Sequence, residues 1–445
     1  MGILIGIGDT KPVFPYDYYY GVKINTTVAD CALERIGRAE LHKSLPIQSR
    51  MRRCLLDDTG KVTAYLHPTN SAKTETGATA DLTGASGMVM VEIPDHYRKF
   101  EFDGTSITAL VSEYPLPGFH YVRKMYVSAY EATVDRTTAS KPKLASVVNT
   151  TTAFRGGGNQ SAWDSQSNTM LGKPATGLSL INFRAYARNR GTAGVGGVGW
   201  NAYLYEAHLD LLWLYYIEYA NLNSQLAFNA QPTSDGYKQG GLGNGVTDLN
   251  GTKWSNFSSY YPVIPCGTTN SLGNATGEVV YTMPTDYDSS GVKVYVPSYR
   301  GIENPFGHLY KWTDGVNLRV QSDAAGGRSI LYRAIDDNPA VFNSSNYNGY
   351  EERGDFARTE GFIMSILGGE YGDFLPLTIG GSSTTYFADK FYSDLPTSGE
   401  ALRGLLLGGN AAYGAAAGLA FALAHYVPSS SNAHFGSRLC FIPNV

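Results

Sequence analysis

The stretch "GGNAAYGAAAGLAFALAHYVPSSSNAHFGSRLC", Gly408–Cys440, carries aromatic and histidine side chains on alanine, serine and glycine, with one formal charge, Arg438. From Gly404 to Val445 the chain contains no Asp, Glu, Lys, Gln, Met, Trp or Thr. Avoidance of charge explains some of these absences. Lys, Glu, Gln, Met and Trp are, however, also the residues that a codon ending in a pyrimidine cannot encode. The composition is what remains when asparagine codons are randomised at their adenines.

The same stretch resembles, without gaps, the variable repeat of proteins diversified by retroelements, a family that includes phage tropism determinants. The positions that this family keeps fixed correspond here to Gly408, Gly409, Gly414, Gly418, Pro428, Ser429, Ser431, Ala433, Gly436 and Arg438. The positions that vary, and would bind the ligand, correspond to Asn410, Ala412, Tyr413, Ala416, Leu423, His425, Tyr426, Ser430, Asn432, His434 and Phe435. Each of the latter is reachable from an asparagine or isoleucine codon by changing adenines.

The two sets answer different physical demands. Glycines allow close approaches and backbone angles that larger residues avoid, and Pro428 fixes one φ angle. Arg438 can bind carbonyls or carboxylates through its rigid five-donor guanidinium. We therefore expect a small-residue frame that presents the variable side chains outward, with Tyr413, Tyr426 and Phe435 as the main contacts. Tyrosine serves antibodies in this way, because it supplies contact area at low entropic cost.

The resemblance extends upstream through "MVMVEIPDHYRK" and "SYRGIENPFGHLYKWTDG", so that it covers about residues 87–445. It implies a C-type-lectin-like (formylglycine-generating-enzyme-like) domain with long loops. Formylglycine-generating enzymes rely on paired cysteines near the C-terminal part of this domain, and Cys440 has no partner nearby in the sequence. We expect no catalytic residues, no cofactor and no metal.

The rest of the chain predicts an α+β fold. "MVMVEIPDHYRKFEF" and "FHYVRKMYVSAYEATV" alternate like strands. "WNAYLYEAHLDLLWLYYIEYANLNSQ" has helical periodicity and is apolar nearly all round, which predicts a buried helix. Residues 225–300 read as long Gly/Asn-rich loops. The polar linker "SAKTETGATADLTGASG" suggests a boundary between a small β-rich N-terminal module, 1–85, and the lectin-like domain, 86–445, with its variable region at 404–441.

Three motifs have competing interpretations. Residues 405–427 form an uncharged run long enough for a transmembrane helix, but its glycines and Asn410 favour irregular backbone in a soluble domain. "GVGGVG", Gly194–Gly199, matches a dinucleotide-binding motif without the acidic residue that should follow. His425, His434 and Cys440 do not have the spacing of a zinc site.

A net charge of −4 with no basic block argues against nucleic acid as a partner. The apolar start of the chain lacks the basic region of a secretory signal. The resemblance implies a homotrimeric, tropism-determining receptor-binding protein at the tail-fibre tip of a phage virion. Its partners would be a host-cell receptor, protein or glycan, and other tail proteins that the N-terminal module contacts.

Two alternatives stay open. Acidic pairs such as Asp336–Asp337 and Glu351–Glu352 allow a tail-associated glycan-cleaving enzyme, because that chemistry needs two carboxylates across a sugar bond. A bacterial surface-displayed binding protein with the same variable repeat is the other.

Overall fold

A computed structural model describes residues 16–191, 199–247, 249, 252, 254, 263–285, 287 and 289–443. These residues form a mixed, mostly sheet structure, which is compatible with the predicted α+β class. The "GVGGVG" motif lies outside the described residues except for Gly199, which begins a strand.

Three α-helices have both ends within the described ranges. They are α1 (Ala39–Ser44), α2 (Leu180–Arg188) and α3 (Tyr205–Tyr219). Ser179 caps α2, since its Oγ accepts a hydrogen bond from Asn182 N at 3.2 Å. Helix α3 is the predicted buried helix, and Glu206 is its one residue that is not buried. It ends where Ala220 adopts a left-handed conformation (φ 48°).

Twenty-six strands are present in the described part of the chain. The first thirteen are β1 (Tyr19–Asn25), β2 (Glu34–Gly37), β3 (Arg52–Leu56), β4 (Val62–His67), β5 (Asn70–Thr74), β6 (Met88–Ile93), β7 (His96–Phe102), β8 (Ser106–Ser112), β9 (His120–Val122), β10 (Met125–Ser128), β11 (Thr133–Asp135), β12 (Lys143–Ala145) and β13 (Gly199–Ala202). The alternating segments that predicted strands became β6, β7, β9, β10 and β11, as expected.

The remaining strands follow the long helix. They are β14 (Gly277–Thr282), β15 (Lys293–Tyr299), β16 (Ile302–Glu303), β17 (Tyr310–Gln321), β18 (Ser329–Ala334), β19 (Tyr350–Asp355), β20 (Gly361–Gly368), β21 (Asp373–Ile379), β22 (Lys390–Ser393), β23 (Glu400–Leu407), β24 (Ala422–Ala424), β25 (Phe435–Gly436) and β26 (Leu439–Ile442).

Three larger sheets organise these strands. One has the order β2-β1-β8-β7-β9, and a second has the order β13-β26-β10-β6-β3-β4-β5. The third runs β19-β18-β17-β23-β24-β22-β20-β21, with β25 paired to β17. Most pairs are antiparallel, whereas β22 with β24 and β17 with β25 are parallel. The variable region therefore supplies strands to two sheets, with β26 between β13 and β10.

The boundary predicted near residue 85 does not separate two structural units. Strand β3 pairs with β6, and β1 pairs with β8 over seven residues, so strands from both sides of the boundary share sheets. The predicted module at 1–85 is β-rich, but its strands complete sheets begun elsewhere. The linker that suggested the boundary contains β5 and a surface connection instead.

The uncharged run at 405–427 is not a helix. It comprises the end of β23, a 3-10 turn at Gly414–Ala416 and β24. Across the described ranges, we find no helix with the length and apolar character needed to span a bilayer.

Candidate ligand-binding surface

The variable region begins where β23 ends against β17. Lys311 lies opposite Leu407 and Trp312 opposite Leu406 in that pairing. The chain then turns through Gly408 and Gly409, at φ 85° and 70°. Such angles are open to glycine and strained for other residues, which is the role predicted for these two positions. Between β23 and β24 the chain forms a loop, and a second loop follows β24.

Buried side chains from outside the variable region hold the backbone of the first loop. His208 on α3 lies with Nε2 2.8 Å from the carbonyl oxygen of Leu419. Leu419 N donates to Ser224 Oγ at 3.1 Å, and Ala420 N donates to Asp389 Oδ2 at 2.7 Å. These bonds involve main-chain atoms, so they do not depend on which side chains the loop carries.

Gly418 shows how tightly this loop is held. A Cβ at this position would lie 2.0 Å from Asp389 Oδ1, and Asp389 is itself buried. Gly418 is therefore fixed by close approach rather than by its φ angle. This contact explains why the position requires glycine.

Arg438 fulfils its predicted role. Its side chain is fully buried and donates hydrogen bonds to the carbonyl oxygens of Ser128 (3.1 Å), Asn304 (2.7 Å) and Glu303. Charge-assisted bonds of this kind are stronger than neutral ones. They tie the strand that follows the second loop to two other segments of the fold. Pro428 is also buried, and its carbonyl accepts a hydrogen bond from Leu180 N at the start of α2.

Aromatic rings from both loops meet around Tyr310, at the start of β17. The ring centroid of Tyr310 lies 5.6 Å from Tyr413, 5.4 Å from His434 and 5.8 Å from Phe435. Tyr392 on β22 joins the cluster, 5.4 Å from Tyr413. Tilted and edge-to-face pairs at these distances are favourable.

Five ring-bearing side chains of this region are partly exposed. We call them the aromatic surface: Tyr392, Tyr413, His425, Tyr426 and His434. Tyr310, Phe421 and Phe435 form the buried floor below them. The His425 ring lies 4.5 Å from Tyr426, whose ring lies 4.9 Å from Phe435. Through the buried floor, these contacts link the five side chains from Tyr392 to His425 into one cluster.

Burial keeps three groups of this cluster, Tyr310, Tyr413 and His434, uncharged near neutral pH. Burial raises the pKa of Tyr310 and Tyr413, whose hydroxyls are in contact, so both stay protonated. Burial lowers the pKa of His434 to about 4, so its imidazole is neutral. The surface can offer apolar ring area and hydroxyl groups to a ligand.

The predicted variable positions divide by exposure. Those that reach the surface, wholly or in part, are Ala412, Tyr413, Ala416, His425, Tyr426, Ser430, Asn432 and His434. Asn410, Leu423 and Phe435 are buried, with exposures of 5%, 5% and 0%. An outward role for these three is wrong.

Each of the three buried positions has a structural reason. Phe435 forms β25, and its ring packs 5.6 Å from Trp312. Leu423 lies in β24, between β22 and β23. Asn410 turns inward, and its Oδ1 accepts a hydrogen bond from Ala412 N at 3.0 Å. Phe435 therefore supports Tyr426 from below instead of contacting a ligand.

Sequence reasoning missed Tyr310, Tyr392 and Lys390. Tyr392 is the β-sheet neighbour of Leu423, and Lys390 places its Nζ 4.5 Å from the centre of the Tyr392 ring. No local pattern marks these residues, because only long-range strand pairing, of β22 with β24 and of β17 with β25, brings them to the variable region.

The acidic pairs proposed for glycan cleavage bind arginines. Asp337 pairs with Arg333, and Glu352 pairs with Arg328 at 2.5 Å. The four cysteines are buried and free. No group of three or more His, Cys, Asp or Glu side chains among the described residues is arranged to hold a metal ion.

The fold and surface together define a mixed, sheet-rich protein that presents an aromatic patch on loops held by a buried frame. Comparison with protein-family models and with curated proteins finds no match to this chain.

Proposed function

We propose that the chain is a phage receptor-binding protein with a C-type-lectin-like fold, located at the tail-fibre tip of the virion, whose retroelement-diversified C-terminal surface selects the host receptor. The observation that carries this proposal is that the backbone of the variable region is held in place while several of its side chains stay exposed. Main-chain bonds to His208, Ser224 and Asp389 hold its first loop, while Tyr413, Tyr426 and His434 remain partly exposed. A surface built in this way tolerates new side chains, because substitutions away from such features usually cost within about 0.5 kcal/mol.

The binding test compares two pairs of tyrosines. Tyr413→Ala with Tyr426→Ala removes the centre of the aromatic surface. The control, Tyr97→Ala with Tyr121→Ala, removes a contacting pair whose rings lie 5.5 Å apart on the five-stranded sheet. Interface tyrosines cost about 1–2 kcal/mol each on truncation, so the first pair should weaken adsorption about thirtyfold or more.

Unchanged adsorption by the Tyr413/Tyr426 variant would refute the assignment of the binding surface. A large fall in its thermal midpoint would instead mean that these side chains belong to the core. Equal losses in both double variants would show that any aromatic surface of the protein contributes.

The diversification part of the proposal has its own test in the nucleotide sequence. We expect a near-copy of the segment encoding 404–441 beside a reverse-transcriptase gene, differing only where the copy has adenine. Absence of such a copy would contradict diversification. The proposed receptor binding would then depend on the adsorption test alone.

We also propose a homotrimer, because linked sites raise avidity without new contacts. Sedimentation equilibrium of the full chain should give three times the mass of 48.2 kDa. Attachment to other tail proteins is assigned to the N-terminal part, whose strands are shared with the rest of the fold. A monomeric mass in sedimentation equilibrium would contradict the trimer and would leave the receptor assignment unchanged.

A further inference from the structure

A polar cleft lies at one end of α2, and the variable loops contact the other end. At the start of α2, Leu180 N donates to the carbonyl oxygen of Pro428 at 3.1 Å. Two residues after its end, Arg190 lines a cleft of about 460 Å³. At 1.5 Å per residue, the nine residues of α2 span about 13 Å. The size is within the range of small-ligand sites.

Opposite charges line this cleft in near balance. Asp58 binds two cations, with Lys143 Nζ at 3.0 Å and Arg190 Nη1 at 2.5 Å. Asp57 and Asp135 contribute two further carboxylates. Each uses Oδ1 to accept main-chain N–H groups, at 2.9 Å from Thr59 and from Thr137 respectively. Within the described part of the chain, Oδ2 of each accepts no hydrogen bond, so it can accept one from a ligand.

Arg190 forms a fixed part of the cleft wall. The residue is 5% exposed, its Nε donates to the carbonyl oxygen of Leu144 at 2.8 Å, and its guanidinium lies 5.7 Å from the Trp200 ring. Together with the ion pair to Asp58, these contacts hold the guanidinium in one place, so the shape of the wall is set before a ligand arrives.

The lining disfavours anions. Lys143 and Arg190 are already paired with Asp58, and the carboxylates of Asp57 and Asp135 repel a further negative charge. A sugar hydroxyl both donates and accepts hydrogen bonds, so it suits a wall that offers carboxylate acceptors and cationic donors together. Phe154, half-buried at the edge, adds an apolar face for the C–H side of a sugar ring.

We propose that this cleft binds a neutral saccharide of one or two rings. None of its lining residues belongs to the variable region. Its specificity is therefore constant while the aromatic surface changes. If the proposed receptor function holds, a constant weak contact with host glycan would raise the avidity of every variant.

The test titrates the full chain with glucose, galactose, mannose and N-acetylglucosamine, followed by ligand-observed NMR. We expect at least one of these to bind with a dissociation constant of about 1–10 mM, the range of a weak single-sugar site. Asp135→Asn and Phe154→Ala should each weaken that binding about tenfold or more with an unchanged thermal midpoint. The Tyr413/Tyr426 double-alanine variant should bind the sugar normally.

Three results would overturn the proposal. None of the four sugars binds, or binding survives in both cleft variants, or glucose 6-phosphate binds while the neutral sugars do not. Loss of sugar binding in the Tyr413/Tyr426 variant alone would place the saccharide on the aromatic surface instead. Because adsorption and sugar binding are measured separately, failure of this cleft is distinguishable from failure of the proposed receptor function.

Discussion

Phe435 provides the sharpest test of how the variable region is built. Its ring is fully buried against Trp312, Tyr310 and Tyr426, at centroid distances of 5.6, 5.8 and 4.9 Å. Replacing a buried Phe by Ala costs about 3–5 kcal/mol, through lost burial and the cavity that remains. We expect Phe435→Ala to lower the free energy of unfolding by about 4 kcal/mol, because three ring contacts disappear together.

Equilibrium unfolding in urea, followed by intrinsic fluorescence, measures this change. Phe435→Leu keeps most of the volume and should cost about 1–2 kcal/mol. The matched control is Ala412→Ser, an exposed position in the first loop, which should change stability by less than about 0.5 kcal/mol. If Phe435→Ala proved as stable as Ala412→Ser, the ring would not be a buried support, and the division between surface and floor would fail.

Three further substitutions test the frame and its titration. Gly418→Ala drives a methyl group into the buried Asp389 carboxylate. The control is Gly414→Ala, where φ is 50° and no atom lies within 4 Å, so the left-handed backbone alone should cost about 1–2 kcal/mol. The unfolding midpoint of Gly418→Ala should fall well below that of the control, and equal midpoints would contradict the close approach. Arg438→Lys loses the guanidinium that reaches the carbonyls of Ser128 and Asn304 together, and should cost about 3 kcal/mol in the same assay; full stability would exclude the tether. Burial lowers the folded-state pKa of His434 to about 4, below its unfolded value of about 6.5, so the unfolded chain binds more protons and stability should fall from about pH 6.5 towards pH 4. His434→Gln should make thermal midpoints fall less over that interval, and an unchanged pH slope would show that the imidazole is not desolvated.

Local patterns in the sequence were sufficient for the helix and for several strands. Helix α3 followed from apolar residues in every direction, and β6 and β7 from β-branched and aromatic content. The frame was also predictable residue by residue, since Gly408, Gly409 and Arg438 perform the roles expected of them. Each of these inferences depends on a residue and its near neighbours.

Sheet order and burial depend on distant residues, and there the sequence was insufficient. The pairing of β3 with β6 joins segments across a polar linker whose composition resembles a domain boundary. Phe435 looks like its exposed neighbours in a serine-rich loop, and only its pairing with β17 turns it inward. Tyr392 reached the aromatic surface through a parallel pairing that no periodicity reveals.

Strand β26 follows the variable loops in the chain and lies between β13 and β10, with Phe441 opposite both Tyr126 and Trp200. During synthesis, β13 therefore cannot join the other five strands of the seven-stranded sheet until the ribosome has translated both loops. A new loop that prevents closure leaves two unpaired strand edges, which promote aggregation. Under the proposed function, each newly synthesised variant would therefore undergo a folding check before it could be assembled into a particle.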